Sequence, residues 1–371
     1  MTAGLRYSSI SRYALTSVLL LIRSRYAVPL KLGVATIDVI GNRTFDYYES
    51  AWRGLAEAAS KHADVDLLRN PTRGTKLDFL LIWHDYGGQH NTLGVLEERY
   101  KQYGKVPFGF MLAKLFQDES RKYEHISSFS AKFKNLKFVV LPAPRVEVCE
   151  SATHVSCIFL PLGVEFEQFN SAGEGIYTTD ISYTGAMTSP AAQSEKARTC
   201  EGLDWCIPGT CPAFDHIIGH YSHLRREMAC AIPELRRLHI NVTEVHHMSA
   251  DEYKSALTIS KLWPATTENM DHVGPRFYEV MASNRTMLMC DPNPRAYAPI
   301  GLVHGVHAVM VTNTSDFIEK VRYYAHPAHE AERRRIVSNA AELVLKNTWT
   351  ERGHAIIGTV RSFLNKDAAR Q

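Results

Sequence analysis

Apolar residues in the first half of this chain fall into short runs divided by stretches of helical spacing. Lys31–Val39, KLGVATIDV, reads as an opening strand, and Gly41–Asn42 as the turn after it. Phe45–Lys61 then places Tyr48, Trp52, Leu55 and Ala59 on one side of a helix. Val65–Leu68 reads as the next strand. Phe79–Trp83, FLLIW, is apolar without interruption, which suits a central parallel strand covered on both faces. A helix over Leu93–Tyr103, a strand over Val106–Leu112 and a helical or turn segment over Leu115–Lys122 follow. Phe138–Leu141 reads as a strand stopped by Pro142 and Pro144, and Cys157–Leu160 as one more.

The second half repeats the alternation. Asp180–Thr184 predicts a strand closed by Gly185-Ala186, and Tyr221–Ile232 a helix that ends before Pro233. Leu238–Val245 predicts a strand. Residues 199–220 read as an irregular insertion. Ser249-Ala250-Asp251-Glu252 has the Ser-x-x-Glu pattern that caps a helix reciprocally at its first turn. That helix runs to about Ser260, a short strand covers Lys261–Pro264, and a polar loop, Ala265–Val273, leads into a helix opening at Gly274–Pro275. Proline is tolerated there because the first helical N–H has no partner within the helix. Phe277, Val280 and Met281 keep helical spacing, and Thr286–Cys290 is a strand running into Asp291. A late strand over Ala308–Val311, a helix over Phe317–Ala325 capped from Asn313-Thr314-Ser315-Asp316, and helices over Ala328–Asn347 and Thr350–Asn365 complete the pattern. Strands alternating with helices imply parallel sheets with helices on both faces. Such sheets bind ligands beyond the carboxyl ends of their strands.

At 371 residues the chain has the length of two domains, and 45% hydrophobic with 22% charged residues is ordinary globular composition. A net charge of +3 gives no reason to expect a nucleic-acid partner. Among seven cysteines, Cys149, Cys157, Cys230 and Cys290 lie in or near apolar runs and read as buried thiols. Cys200, Cys206 and Cys211 cluster without the Cys-x2-Cys spacing of a zinc site, so a chance cluster or a local disulfide is the expectation and a metal is not. A reducing compartment is the default. Ala14–Ile22 is too short to span a bilayer, which takes about 20 apolar residues. With Arg6, Arg12, Arg23 and Arg25 around it and no acid before Asp38, the N-terminal segment reads as a leader or an extra helix. A cytoplasmic location is the default, with organellar targeting as the alternative.

Candidate chemistry gathers in two places. Asp271 and Glu279 are separated by seven residues, with Gly274, Pro275 and Arg276 between them at a helix start. Free N–H groups and the helix dipole favour an anion there, Arg276 adds a positive charge, and the Glu279 carboxylate can accept hydrogen bonds from a sugar diol. In the first half, His84-Asp85 follows the FLLIW strand, where the pair can take the proton of an acceptor hydroxyl or simply cap the next helix. Gly185 permits close approach of backbone to phosphate. Lys196 and Arg198 supply positive charge near it or form a solvated basic face. The His246-His247 pair has no neighbours to complete a ligand set, so no metal is expected.

The segment GPRFYEVMASNRTMLMCD, together with the Asp-x7-Glu spacing over residues 271–279, resembles the nucleotide-sugar segment of GT-B glycosyltransferases, glycosyl transferases group 1, in its CgeB-like (spore-maturation-protein-type) branch. Val106–Lys122, the linker-like FLPLGVEFEQF over Phe159–Phe169, the Glu-Tyr-x-x-x-Leu-x-x-Ser-Lys run from Glu252 and Thr348-Trp349-Thr350-Glu351-Arg352 match the same pattern, with Asn347 where that family has His. The resemblance covers about 178–365 by motif and 31–170 by architecture.

The resemblance implies an α/β, GT-B fold: two Rossmann-like parallel-sheet domains facing a cleft. After a leader or extra helix over 1–30, residues 31–170 would form the acceptor-side domain and 178–348 the nucleotide-sugar domain. Residues 349–371 would cross back to the first domain. It implies a metal-independent, retaining glycosyltransferase without a cofactor, taking its sugar from a nucleotide-sugar for a glycan, lipid or protein acceptor. Glu279 would hold the donor ribose, Gly274, Pro275, Arg276, Gly185, Lys196 and Arg198 would face the diphosphate, and Asp271 would lie near the transferred sugar. Asp271 stands where the family has Glu, one methylene longer. A non-catalytic binding protein of this fold and a sugar-nucleotide epimerase remain the alternatives.

Overall fold

The computed structural model describes residues 29–36, 47–72, 74–84, 105–112, 119–171, 175–184, 224–245, 249–267 and 271–369. Two parallel sheets organise them. The first has six strands in the order β2-β1-β3-β4-β5-β6. These are β1 (Leu30–Thr36), β2 (Val65–Arg69), β3 (Phe79–His84), β4 (Phe108–Leu112), β5 (Leu136–Leu141) and β6 (Ser156–Phe159). The apolar FLLIW run is an inner strand, β3, paired in parallel with β1 and β4. Phe79 through Ile82 are almost wholly buried, as a strand covered on both faces requires.

Helices α1 (Tyr47–Ser60), α2 (Glu119–Lys132) and α3 (Val146–Thr153) belong to this sheet. α2 extends well beyond the Leu115–Lys122 expectation because Tyr123, Ile126 and Phe129 bury one face against β4 and β5. α3 was not expected at all. Cys149 of α3 is disulfide-bonded to Cys157 of β6, and Cys230 is disulfide-bonded as well. The reading of these three as buried thiols is therefore corrected, and they no longer argue for a reducing compartment. Cys290 is a free, buried thiol as expected.

The second sheet has five strands in the order β11-β10-β9-β7-β8. They are β7 (Thr179–Thr184), β8 (Val242–Val245), β9 (Ser260–Pro264), β10 (Met287–Cys290) and β11 (Val309–Met310). The short helix α4 (Phe166–Phe169) lies in the segment joining the two sheets. Around the second sheet lie α5 (Leu224–Cys230), α6 (Ile232–Arg237), α7 (Ala250–Ile259), α8 (Pro275–Ala282), α9 (Pro294–Tyr297), α10 (Thr314–Ala325) and α11 (Glu330–Val344). Pro233 does not simply end a helix. It sits in the first turn of α6, where its missing N–H costs nothing. The capping box at Ser249 forms as the sequence requires: Ser249 accepts from the Glu252 N–H, and a Glu252 carboxylate oxygen accepts from the Ser249 N–H at 2.7 Å. The helix expected from Ala328 opens instead as a 3-10 turn, Pro327–His329, ahead of α11.

The last helix, α12 (Trp349–Ala368), crosses back onto the first sheet's helices. Its Trp349, Ile356, Ile357 and Val360 share one core with Ala51, Leu55 and Ala58 of α1 and with Leu32, Val34 and Trp83. Trp349 meets the Trp83 ring edge-on at 6.2 Å. The crossing is close because glycine lines it. A Cβ on Gly54 would lie 2.4 Å from Trp349 backbone, and one on Gly163 would lie 2.7 Å from the Trp349 nitrogen. Val164 in the joining segment pairs with Thr348, and the Trp349 N–H donates to the Val164 carbonyl at 3.1 Å. Asn347 accepts from Arg352 and donates to the Leu343 carbonyl at 3.1 Å, which fixes the turn into α12.

Candidate active site

Each sheet has one place where successive connections leave in opposite directions. In the second sheet it lies between β7 and β9, because β8 flanks β7 on one side while the chain returns to place β9 on the other. Ligands of parallel sheets sit at such points, beyond the carboxyl ends of the strands. The chain that leaves β9 there carries Asp271 and opens α8 at its N-cap, Gly274. In the first sheet the equivalent place lies between β1 and β3. His84 is the last residue of β3 and stands there by backbone position. Asp85, Gly185, Lys196 and Arg198 fall outside the described residues, as do the Cys200/Cys206/Cys211 cluster and His246-His247.

Asp271 is half-buried and has φ +61°, a left-handed conformation that aspartate tolerates better than most residues. Asn293 reaches it from the neighbouring loop beyond β10, donating from Nδ2 to Asp271 Oδ1 at 3.0 Å. Beneath them a buried carboxylate, Asp291, ties the two loops together. It accepts from the Thr267 N–H at 2.8 Å, the Thr267 hydroxyl at 2.6 Å and the Tyr297 hydroxyl at 2.8 Å. Burial, with Cys290 and Asp291 adding to it, holds the Tyr297 phenol well above the usual tyrosine range. Tyr297 therefore stays a donor.

Glu279 lies in the second turn of α8. It is 3% exposed and accepts a hydrogen bond of 2.8 Å from the Tyr253 hydroxyl of α7. Burial first and Glu279 second raise the Tyr253 phenol well above its ordinary range, so it too remains protonated. The Arg276 guanidinium lies 5.8 Å from the Tyr253 ring centroid, which brings a positive charge to the same group. Gly274, buried and extended, is the N-cap of α8, and Pro275 stands in its first turn. The structure thus brings Glu279, Arg276 and Tyr253 together, and separately joins Asp271 to Asn293. Neither of two partners was read as a site residue from the sequence: Tyr253 entered only as part of the Glu-Tyr run from Glu252, and Asn293 not at all. Both are polar residues beside a strand or helix that carries the motif, and only the sheet order makes them neighbours.

Comparison with known proteins agrees with this architecture. Residues 207–358 match the family model described as glycosyl transferase-like. HepE of Anabaena in complex with UDP aligns with a TM-score of 0.54 at 10% identity, over 90% of this chain and 100% of that one. Sucrose-phosphate synthase of Thermosynechococcus elongatus aligns at 0.53 and 11% identity, over 91% and 100%. T4 phage BGT in complex with its UDP-glucose substrate aligns at 0.54 and 11% identity, over 89% and 99%. No curated protein matches the chain significantly in sequence. The fold is α/β of the GT-B class, two parallel-sheet units with the last helix returning to the first. Within it, the matched segment contains the entire Asp271–Glu279 stretch and both of its newly found partners.

Proposed function

We propose that this protein is a glycosyltransferase of the CgeB-like branch, moving a sugar from a nucleotide-sugar donor to an acceptor hydroxyl. The observation that carries the reading is the placement of Asp271, the α8 start and Glu279 beyond the carboxyl end of β9, at the switch point of the second sheet, inside the glycosyl transferase-like segment. Several structures of the same fold hold UDP or UDP-glucose.

In this reading Glu279 accepts from the donor ribose hydroxyls, oriented by Tyr253. Arg276 and the N–H groups opening α8 stabilise the negative charge that grows on the leaving diphosphate, an electrostatic contribution that is often the largest in catalysis. With that charge supplied by the protein, the reaction is proposed to need no metal. Asp271 lies against the transferred sugar, and the hydroxyl attacks its anomeric carbon on the same face from which the diphosphate departs, so that the configuration is kept. His84, at the switch point of the first sheet, and Asp85, next to it in sequence, take the hydroxyl proton. Retention at the anomeric carbon and a glycan, lipid or protein acceptor belong to the same proposal.

One observation favours a second reading, a binding protein of this fold without turnover: the shorter Asp271 stands where the family has Glu, and its carboxylate is already tied to Asn293. A thermal-shift series with UDP, GDP, ADP, CMP and dTDP at millimolar concentration tests the donor site. A nucleotide at 100 times its Kd adds about 2.7 kcal/mol to stability by mass action. The glycosyltransferase reading expects one nucleotide to raise the Tm of the wild type and to lose much of that effect in Glu279→Gln. No response to any of them contradicts both readings, and a response without sugar transfer or hydrolysis favours the second.

A further inference from the structure

We propose that Asn293 is a positioning residue for the donor's sugar, acting by holding Asp271 in place; this rests on the glycosyltransferase reading. The hydrogen bonds fix how its amide is turned. Its Oδ1 accepts from the Ala296 N–H at 3.2 Å and so caps α9. The amide nitrogen must then face the other way, and its two hydrogens have two acceptors, Asp271 Oδ1 at 3.0 Å and Thr267 Oγ1 at 3.2 Å. Thr267 gives its own proton to Asp291, which leaves a lone pair for Asn293. Thr267 therefore donates to one carboxylate, Asp291, while Asn293 donates both to Thr267 and to the other carboxylate, Asp271.

Three features make Asp271 the end of this arrangement. Its backbone is left-handed, so its side chain leaves the loop in a direction that ordinary loop residues do not take. It is half-buried, while Asp291 beneath it is 4% exposed. Among the described residues its second carboxylate oxygen accepts no hydrogen bond, so that oxygen has capacity for a sugar hydroxyl. A carboxylate on a mobile side chain loses entropy when it grips a hydroxyl, and a charge-assisted bond from a helix cap removes much of that cost beforehand. Asn293 is suited to this because α9 holds it from one side while it holds Asp271 from the other.

Asn293→Ser separates the two jobs. Serine is as good an N-cap as asparagine, so α9 keeps its cap, but its hydroxyl is too short to reach Asp271. Calorimetric titration of the full chain with UDP, GDP, ADP and dTDP, and with the glucose conjugate of each, identifies the pair that the wild type binds. For that pair, Asn293→Ser is expected to leave the nucleoside diphosphate Kd within about twofold and to weaken the glucose conjugate about tenfold, the scale of one hydrogen bond to a charged group. Asp271→Asn is expected to do the same, and the double variant to lose no more than Asp271→Asn alone, since Asn293 acts through Asp271. Equal weakening of both ligands in Asn293→Ser, or an unchanged ratio between them, overturns the proposal. A wild type that binds none of these ligands contradicts the glycosyltransferase reading itself, and this proposal with it.

Discussion

The Tyr253 hydroxyl donates to the Glu279 carboxylate at 2.8 Å, and both side chains are buried. The bond joins α7 to α8 across 26 residues of sequence and sets a carboxylate in the interior of the second unit. Removing the hydroxyl alone, by Tyr253→Phe, leaves that oxygen of Glu279 short of a donor while keeping the ring in its packing against Trp263. A hydrogen bond to a charged group contributes about 1.5–3 kcal/mol, so the urea midpoint should fall by a corresponding amount. Nucleotide affinity should fall with it, because the carboxylate proposed to meet the ribose loses its orientation.

The crossing of α12 over α1 makes a prediction about three glycines in or beside it. A Cβ at position 54 would lie 2.4 Å from Trp349 backbone, and one at position 353 would lie 2.8 Å from the Ala58 Cβ. Gly54→Ala and Gly353→Ala should each destabilise by about 1–3 kcal/mol, since these neighbours are backbone or a methyl fixed on a helix and cannot swing away. Gly358, in the same helix, has nothing within 4 Å of its would-be Cβ. Gly358→Ala should stabilise by about 0.5–1 kcal/mol through helix propensity. Denaturation midpoints of the three variants, measured side by side, check the geometry of the crossing.

Between α9 and β11, the segment Gly301–Ala308 is pinned by two imidazoles acting as acceptors. The Met310 N–H donates to His304 Nδ1 at 2.9 Å and the Val303 N–H to His307 Nδ1 at 3.1 Å. Protonation at Nδ1 abolishes either bond. Partial burial, with Lys320 near His304 and Lys346 near His307, lowers both below the ordinary value of 6.5. The folded state then binds fewer protons than the unfolded state, so this stabilisation is fully present above pH 6.5 and is lost as the pH falls through the lowered folded values. The Tm should drop between pH 7.5 and pH 5 by more in the wild type than in a His304→Gln/His307→Gln variant. An equal drop in both would remove these histidines from the pH response.

Much of the architecture was legible because it depends on local pattern. The FLLIW run suited an inner parallel strand, Ser249 and Glu252 had the pattern of a helix start, and Pro275 after Gly274 suited the opening of another. α3 was missed because VEVCESAT mixes β-branched residues with acids and shows no helical stripe. It is held by burial of Cys149 and Thr153 and by the bond to Cys157, which are tertiary facts. The candidate site divided in the same way. Asp271 and Glu279 were visible as a spacing. Asn293 was not, because its link to Asp271 spans 22 residues and exists only since β10 lies beside β9 in the sheet. Tyr253 was visible in the Glu-Tyr run from Glu252, but its partnership with Glu279 was not, because it joins two helices 26 residues apart.

We propose that the Asp271–Glu279 stretch carries sugar transfer from nucleotide donors. It is tested most directly by release of nucleotide from UDP-glucose and the other glucose conjugates, with water as the default acceptor, comparing the wild type with Asp271→Asn. Water adds to the anomeric carbon, the bond to the diphosphate breaks, and free sugar, nucleoside diphosphate and a proton appear. Release by the wild type from at least one donor is expected, with a rate at least about 100-fold lower in Asp271→Asn at unchanged nucleoside diphosphate affinity, the scale on which a single transition-state contact acts. Equal rates in the two proteins, or a wild type that binds a donor and never releases its nucleotide, would contradict it.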